Sequence, residues 1–521
     1  MTATPPEPTL LGDRLDHWAQ THPTTEAMTY GDRTWTWSEW RDRVRRGTGG
    51  LLDSGLRRGD RIAFLDLNNV ACLEMTFAAA AIGAANAILN WRLAPDELDY
   101  VINDSGARVL FVGAELLPTL DPIRDRLSTV ERIVVVGGES DEYERWLGDS
   151  EPRDARPDVR PDDPCLVMYS SGTTGHPKGV LLTHRNVVSH AQHASVDWDF
   201  DPGDKSLVAM PLFHVGGTCY AVIGIHVGTA TIMTREPDAA SLFGALQQGA
   251  THAFLVPAVV AGIVAAGEQA VAAFARLKHL GYGASPMPLP LLRTALKQMP
   301  DTRFQQVYGL TEVSGVISSL DPEDHRDEDH PERLGSAGTL IEGAEMRVVD
   351  PATGEDVQPG MPGEFWFRSA QATPGYLNKP EATAEAITSD GWFRSGDVGR
   401  VDADGYLFVE DRVKDMIITG GENVYSPEVE RVLVEHPSIA EAAVIGVPDE
   451  RWGESVLAVV TAEPGESPDP DEIIEFTRTR LARYKCPRAV EVHDELPRNP
   501  TGKILKRTLR APHWEGRERT V

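Results

Sequence analysis

Apolar runs and amphipathic stretches alternate along the first half of the chain. Short apolar runs, such as residues 61–67, 132–136 and 165–169, are typical of buried strands. Residues 10–19 and 37–56 instead place apolar positions at helical spacing. Because strands and helices that alternate in this way usually form a sheet with helices on its faces, the pattern predicts an α/β fold.

The pattern changes after residue 342. Short strand-like segments separated by turns then predict a β-rich subdomain. From residue 416 onwards a compact section has its own alternation of strands and helices. The sequence therefore predicts a large N-terminal domain of stacked α/β subdomains plus the β-rich subdomain at residues 1–411, a hinge at 412–415, and a small C-terminal α/β domain at 416–521.

Residues 168–179 form a loop of unusual composition between two apolar runs. Its glycines let the backbone approach a ligand closely, and hydroxyl donors beside a cation suit phosphate oxygens. The hydroxyls and the cation belong to Ser170, Ser171, Thr173, Thr174 and Lys178. Lys178 lies between Pro177 and Gly179, which is not the spacing of a Walker-type loop. The sequence therefore predicts a phosphate-binding loop inside a strand-loop-strand hairpin.

Composition narrows the classes of partner and the expected location. The chain of 521 residues is long for a single core, and its net charge of −29 disfavours nucleic acid or an anionic membrane as the main partner. The four cysteines form no CxxC pair, so neither zinc nor a disulfide framework is predicted. Since the N-terminus lacks signal-peptide features and no stretch suits a membrane span, we expect a cytoplasmic protein.

The loop at residues 168–179 and several later motifs resemble, in the same order, those of the adenylate-forming superfamily of acyl-CoA synthetases, luciferases and peptide-synthetase adenylation domains. The later motifs lie at residues 211–217, 281–285, 307–312, 392–397, 411–415, 420–425 and 497–503. The chain most resembles a bacterial fatty acyl-CoA synthetase. The resemblance implies an acid–thiol ligase that uses ATP, Mg²⁺ and CoA, with a mobile C-terminal domain.

Within the predicted N-terminal domain, the resemblance implies roles for individual residues. His214 would lie near the carboxylate of the acid, Thr311 would bond the α-phosphate, and Glu312 would bind Mg²⁺, which prefers carboxylate oxygens. Tyr308 would pack against adenine, and Asp397 would accept hydrogen bonds from the ribose. The other implied ATP-binding residues are Ser170, Ser171, Gly172, Thr173, Thr174, Lys178, Gly283, Ala284, Ser285 and Gly309.

Further roles fall on the hinge and the C-terminal domain. The resemblance implies that Arg412 reaches the ribose, that Lys414 is the pivot of the hinge, and that Lys503 is the catalytic lysine. It also implies a CoA site formed by Gly420, Gly421, Trp452, Tyr484 and Arg488. No Cys-His pair or Gly-x-Ser-x-Gly motif occurs, which fits a reaction without a protein nucleophile.

The sequence leaves the acid, the acceptor and the oligomeric state open. Residues 215–220 contain no Asp that would hold an amino group, which favours an apolar tail. Gly216, Gly217, Gly283 and Ala284 predict room for a medium- or long-chain fatty acid, with an aromatic or cyclic acid as the alternative. A carrier protein could replace CoA, and a luciferase-like oxidase or an inactive nucleotide-binding regulator are the other readings. The chain could be a monomer or a homodimer.

Overall fold

The chain forms two compact units. The computed structural model describes residues 9–154, 157–170, 177–285, 287–412, 415–419, 422–449, 452–481, 483–498 and 504–515. The first unit comprises residues 1–345 and 367–393, and the second comprises residues 346–366 and 394–521. Both combine sheets with helices, which confirms the predicted α/β class.

The first unit contains two large sheets. Its strands are β1 Glu26–Tyr30, β2 Arg33–Thr36, β3 Arg61–Leu65, β4 Ala85–Ile88, β5 Val109–Gly113, β6 Arg132–Val136, β7 Pro164–Ser170, β8 Lys178–Thr183, β9 Lys205–Val208, β10 Ala230–Met233, β11 His252–Leu255, β12 His279–Gly283, β13 Arg303–Leu310, β14 Gly315–Leu320 and β15 Thr339–Leu340. One sheet has the order β6-β5-β3-β4-β7-β8, and the other has the order β15-β14-β13-β12-β11-β9-β10-β1-β2.

Helices connect and cover these strands. They are α1 Asp13–Thr21, α2 Trp37–Asp53, α3 Val70–Ala80, α4 Pro95–Ser105, α5 Glu142–Asp149, α6 His184–Ala194, α7 Val215–Val227, α8 Ala239–Gln247, α9 Pro257–Ala265, α10 Glu268–Phe274, α11 Leu289–Gln298 and α12 Pro380–Ala386. Side chains of α2, α3, α6 and α7 share one hydrophobic core with strands of both sheets. Helix α3 is buried at every residue, as expected for a helix that is apolar on all sides.

The central strands of both sheets are parallel; antiparallel strands lie at both edges of the larger sheet and at the β8 edge of the smaller one. Strands β11, β12 and β13 pair in parallel, so their carboxyl ends meet at one edge of the larger sheet. Strand β14 returns antiparallel to β13. In the smaller sheet β7 and β8 pair antiparallel, which confirms the predicted strand-loop-strand hairpin around the glycine-rich loop. Strands β7, β12 and β13 therefore end at the segments that the sequence predicted to bind ATP.

The second unit is built on two smaller sheets. Its elements are β16 Ala344–Val349, β17 Gly363–Ser369, β18 Phe393–Val401, β19 Leu407–Arg412, β20 Ile417–Thr419, β21 Glu422–Val424, α13 Ser426–Leu433, β22 Ile439–Asp449, β23 Gly453–Ala462, α14 Pro470–Arg478, β24 Ala489–Val492 and α15 Lys506–Arg510. Strands β16 to β19 form one sheet in sequence order. The other sheet has the order β21-β20-β23-β22, with β24 paired to β23.

The boundaries of the two compact units differ from the boundaries at residues 411 and 416 that the sequence predicted for the domains. The second unit includes strands from the predicted β-rich subdomain as well as the whole C-terminal section. Lys414 lies outside the described residues, so the hinge at 412–415 stays a prediction. A membrane span is also missing from the described part of the chain, where none of the helices has the length and apolar character required to cross a bilayer.

Candidate functional site

Glu312 lies where strands of the two large sheets converge. It follows strand β13 in a short 3₁₀ turn, Thr311–Val313. Its Oε1 accepts hydrogen bonds from the hydroxyl of Tyr376 at 3.0 Å and from Oγ of Ser170 at 3.3 Å. Because Ser170 is the last residue of β7, this carboxylate connects the start of the glycine-rich loop with the end of β13.

Tyr376 is a site residue that the sequence analysis missed. The Nζ of Lys178 lies 5.0 Å from its ring centroid, within the range of a cation–π contact. Burial and the neighbouring Glu312 raise the pKa of Tyr376, so its hydroxyl stays protonated and donates to the carboxylate. The backbone N–H of Thr373 also donates to the carbonyl of Glu312 at 2.7 Å. The loop at residues 373–376 therefore holds Glu312 in place.

The donors around Glu312 fit a magnesium ion shared with phosphates. In the described part of the chain, His, Cys, Asp and Glu form no group of three or more that could hold a metal ion. Mg²⁺ commonly takes only one or two protein carboxylates and completes its shell with phosphate oxygens and water. Glu312 can supply that carboxylate, and the hydroxyls of Ser170 and Tyr376 orient it.

The loop after β12 brings backbone close to the same edge of the sheet. Gly283 ends β12 opposite Val307 of β13, and a Cβ at Gly283 would overlap the carbonyl oxygen of Val307. Ala284 has a φ of 63°, an unusual conformation for a residue with a side chain, and it is exposed. The loop that the resemblance assigns to ATP thus presents Ala284 and the half-buried Ser285 at the carboxyl end of β12.

Strand β13 supplies the other residues predicted to contact the nucleotide. Tyr308 is half-buried, and its ring centroid lies 6.3 Å from that of Phe367. Gly309 adjoins an irregularity in the β13–β14 pairing, and a Cβ there would overlap the carbonyl oxygen of Gly315. Thr311 follows directly in the 3₁₀ turn. One strand end therefore presents Tyr308, Thr311 and Glu312 together.

His214 lies at the N-terminal end of helix α7. It is the N-cap residue, and its carbonyl accepts hydrogen bonds from Gly217 and Thr218. Burial, and secondly the charge of Arg92, lower the pKa of His214 to about 4, so the imidazole is neutral at neutral pH. Its Nε2 is buried and has no hydrogen-bond partner among the residues that the structure describes. A carboxylate or water could satisfy this nitrogen.

In the second unit, Asp397 and Arg412 are cross-strand neighbours. They face each other in the antiparallel register of β18 and β19. Asp397 is buried, and its backbone N–H donates to Oγ of Ser395 at 3.0 Å. The preceding N–H, of Gly396, donates to a carboxylate oxygen of Glu364 at 2.9 Å. One hairpin therefore carries both residues that the sequence assigned to the ribose.

Two of the predicted CoA residues lie together in the second unit. The guanidinium of Arg488 lies 5.1 Å from the ring centroid of Trp452, and its Nη1 is 3.8 Å from Oδ2 of Asp449. Asp449 Oδ1 also accepts a hydrogen bond from the N–H of Trp452 at 3.0 Å. Tyr484 is exposed, and the Nζ of Lys485 lies 5.8 Å from its ring centroid. An aromatic ring and a guanidinium suit an adenine nucleotide.

Several predicted site residues lie outside the described part of the chain. They are Ser171, Gly172, Thr173, Thr174, Lys414, Gly420, Gly421 and Lys503. Arg412 is described only as part of strand β19. The roles of these residues stay predictions.

Two family models match the chain. The model of the AMP-binding enzyme family matches residues 15–377. The model of the AMP-binding enzyme C-terminal domain matches residues 428–503. Together they cover the glycine-rich loop, Glu312 and the section that contains Trp452 and Arg488.

Relatives match over nearly the whole length. A feruloyl-CoA synthase of Amycolatopsis sp is 40% identical over 495 residues, which cover 94% of this chain and 96% of the relative. A fatty acid–acyl-carrier-protein ligase of Streptomyces coeruleorubidus is 36% identical over 509 residues, or 96% of each chain. The solved o-succinylbenzoate CoA synthetase from Bacillus subtilis, in complex with its acyl-adenylate intermediate, has a TM-score of 0.83 at 28% identity and covers 95% of this chain and 97% of that chain.

Proposed function

The chain belongs to the AMP-binding enzyme family, and from this premise we infer how its residues activate a carboxylic acid. It is an AMP-forming acid–CoA ligase that uses ATP, Mg²⁺ and CoA. The reaction makes an acyl-adenylate and releases pyrophosphate. The thiol of CoA then attacks the acyl carbon, and AMP leaves.

The first half-reaction brings a carboxylate anion against the polyanion ATP. When bound, Mg²⁺ neutralises part of the phosphate charge and acts as a Lewis acid. We propose that Glu312 holds this ion and that Ser170 and Tyr376 orient the carboxylate. Lys178 and Lys503 would add positive charge against the phosphates. Removing one preorganised donor of this kind typically costs roughly 10²–10³ in rate.

One observation supports this assignment most strongly. Ser170 at the end of β7 and Tyr376 in the loop at residues 373–376 both donate hydrogen bonds to a single oxygen, Oε1 of Glu312, which follows the end of β13. The two hydroxyl donors occupy Oε1 and fix the orientation of the carboxylate. The other carboxylate oxygen, Oε2, would then be available to hold the metal ion. A solvated surface glutamate would not need this support from distant segments.

Residues of the second unit would bind the sugar and the second nucleotide. We propose that Asp397 accepts hydrogen bonds from the ribose hydroxyls of ATP, with Arg412 beside it on the paired strand. Trp452 and Arg488 would bind the adenine and a phosphate of CoA, since their side chains already adjoin. Tyr484 is exposed and would add a second stacking surface.

The acid has an apolar tail in this proposal, because residues 215–220 offer no carboxylate for an amino group. A medium- or long-chain fatty acid and an aromatic acid both meet this requirement. Relatives named for each class, a fatty acid–acyl-carrier-protein ligase and a feruloyl-CoA synthase, are similar to this chain. Because the first of these relatives is named for an acyl-carrier protein, a carrier protein is the second candidate acceptor of the acyl group.

Acid-dependent exchange of pyrophosphate into ATP tests the proposal. The purified enzyme is assayed with fatty and aromatic acids, with Mg²⁺ or with a chelator. We expect exchange that requires both an acid and Mg²⁺, and thioester formation when CoA is added. Exchange without any acid, or thioester formation only with a carrier protein, would contradict the assignment to CoA-dependent acid activation.

A further inference from the structure

Glycines near the predicted acid site are packed against neighbouring groups. A Cβ on Gly216 would lie only 3.0 Å from Cε1 of Phe254. A Cβ on Gly281 would overlap the indole ring of Trp198. Glycine at these positions allows aromatic rings to rest directly on the backbone. The space beside these two backbone positions is therefore filled by the rings of Phe254 and Trp198.

Three aromatic side chains form a continuous surface between these two glycines. The ring centroids of Trp198 and Tyr220 are 4.7 Å apart, and those of Tyr220 and Phe254 are 6.0 Å apart. All three residues are at least 96% buried, with exposed fractions of 1%, 4% and 4%. We call Trp198, Tyr220 and Phe254 the aromatic wall.

The aromatic wall lies between two segments that the proposed function assigns to the acid site. Gly216 comes two residues after His214 in helix α7, and Gly281 comes two residues before Gly283 in strand β12. Phe254 pairs with Gly281 in the parallel register of β11 and β12. The wall therefore extends from the helix that begins beside His214 to the strand that leads into the loop at residues 283–285.

Contacts of its backbone and of its ring hold Trp198 in place. Its carbonyl accepts a hydrogen bond from Nε2 of His252 at 3.1 Å. The next residue, Asp199, has a φ of 49°, which fixes a sharp change of chain direction. Phe200 then stacks on Trp198, with ring centroids 6.2 Å apart at 17°. The hydrogen bond fixes the backbone of Trp198 and the stacking contact holds its indole, so the wall is a fixed boundary.

We propose that the aromatic wall restricts this enzyme to compact carboxylic acids, with a single ring or a short unbranched tail, and excludes long-chain fatty acids. The inference rests on the proposed function, in which His214 and the loop at residues 281–285 face the acid. Packed protein interiors have few voids, so a long chain would have to displace the wall. Trp198 and Tyr220 are thus specificity-determining residues.

Selectivity among acids of graded size tests this inference. Full-length enzyme is assayed by pyrophosphate exchange with benzoate, cinnamate, butanoate, octanoate and hexadecanoate. We expect kcat/KM for hexadecanoate to be lower than that for the best compact acid by at least about tenfold. Trp198→Ala and Tyr220→Ala should each raise the ratio of kcat/KM for octanoate over butanoate by about tenfold or more.

Two variants control for general loosening of the core. Trp198→Phe keeps an aromatic ring at the wall, and Phe274→Leu changes a buried aromatic residue of helix α10 that lies outside the wall. Both should retain the wild-type order of acids, and circular dichroism checks that every variant is folded. If Trp198→Ala does not fold, the ratio of kcat/KM for octanoate over butanoate in Tyr220→Ala tests the inference.

The outcomes separate this inference from the function on which it rests. Fastest exchange with hexadecanoate in the wild type would overturn the inference but not the proposed function. Unchanged selectivity in folded variants at both wall positions would overturn it as well. Absence of exchange with every acid would overturn the proposed function, and the inference with it.

Discussion

At the scale of single residues, the carboxylate of Glu312 carries the most specific prediction. Glu312→Gln keeps the shape of the side chain and removes the charge that Mg²⁺ needs. We expect acid-dependent pyrophosphate exchange to fall by about 10²–10³ and the required Mg²⁺ concentration to rise. Initial rates over a Mg²⁺ titration measure both effects. An unchanged rate and an unchanged Mg²⁺ requirement would remove Glu312 from the metal site.

Tyr376 offers a matched comparison, because its hydroxyl only positions the carboxylate. Tyr376→Phe deletes one hydrogen bond, whose net worth is about 1 kcal/mol, so we expect a loss of about tenfold or less. Initial rates of pyrophosphate exchange over the same Mg²⁺ titration measure the effect of this variant. If Tyr376→Phe lost as much activity as Glu312→Gln, a role limited to positioning would be wrong.

His214 carries a prediction about protonation. Burial lowers its pKa to about 4, so the ring is neutral at neutral pH. We expect its imidazole NMR resonances to stay constant from about pH 8 down to about pH 5. Assignment comes from comparison with His214→Gln. A titration near pH 6.5, the ordinary value, would show that the ring is solvated and not buried beside the acid.

At the scale of elements, the sequence predicted the strands better than the helices of the core. The predicted boundaries of the strand at residues 132–136 are confirmed, because Arg132–Val136 is a short run of β-branched residues with clear ends. Helix α7 was missed. It is apolar on nearly all sides and contains several glycines, so it lacks the periodic polar face by which an amphipathic helix is identified.

The site was also predictable only in part, for a related reason. Glu312 and Thr311 stand in a continuous motif at the end of a predicted strand. Tyr376 follows Pro374 and Gly375 in a connecting loop, and its contact with Glu312 spans 64 positions of sequence. A short motif shows residues that are close along the chain. It does not show which distant loop will support them.

Gly309 carries a prediction about the β13–β14 pair. A side chain there would overlap the carbonyl of Gly315, so Gly309→Ala must shift the strand end that bears Thr311 and Glu312. We expect at least about a tenfold loss of pyrophosphate exchange and a lower melting temperature. Gly262→Ala in helix α9 is the control, since its Cβ meets nothing within 4 Å and alanine favours a helix. Equal effects at both positions would refute the argument.

At the scale of the whole molecule, buried histidines predict instability in acid. Burial is the largest cause that lowers the pKa of each, to about 4 for His184, His226 and His325 and to about 3 for His190 and His279. The unfolded chain binds protons near pH 6.5, whereas the folded chain binds them only below these values. The free energy of unfolding is therefore highest above about pH 6.5 and falls as the pH drops toward about 4.

All five histidines belong to the first unit, so its unfolding is the process to follow. Urea denaturation at a series of pH values, monitored by tryptophan fluorescence, gives the free energy of unfolding. His226→Leu removes one of these groups and should make the pH dependence shallower. A free energy of unfolding that stays constant between about pH 6.5 and about 4 would contradict the prediction.

The return of the chain to the first unit at residues 367–393 has a consequence for synthesis on the ribosome. Tyr376 emerges 64 residues after Glu312, to which it donates its hydrogen bond. At about 5–20 residues per second, this interval lasts roughly 3–13 s. During that time the nascent chain already contains Glu312 but not the tyrosine that donates a hydrogen bond to its carboxylate. An arrested ribosome that has exposed only residues 1–345 therefore carries a first unit that is still incomplete.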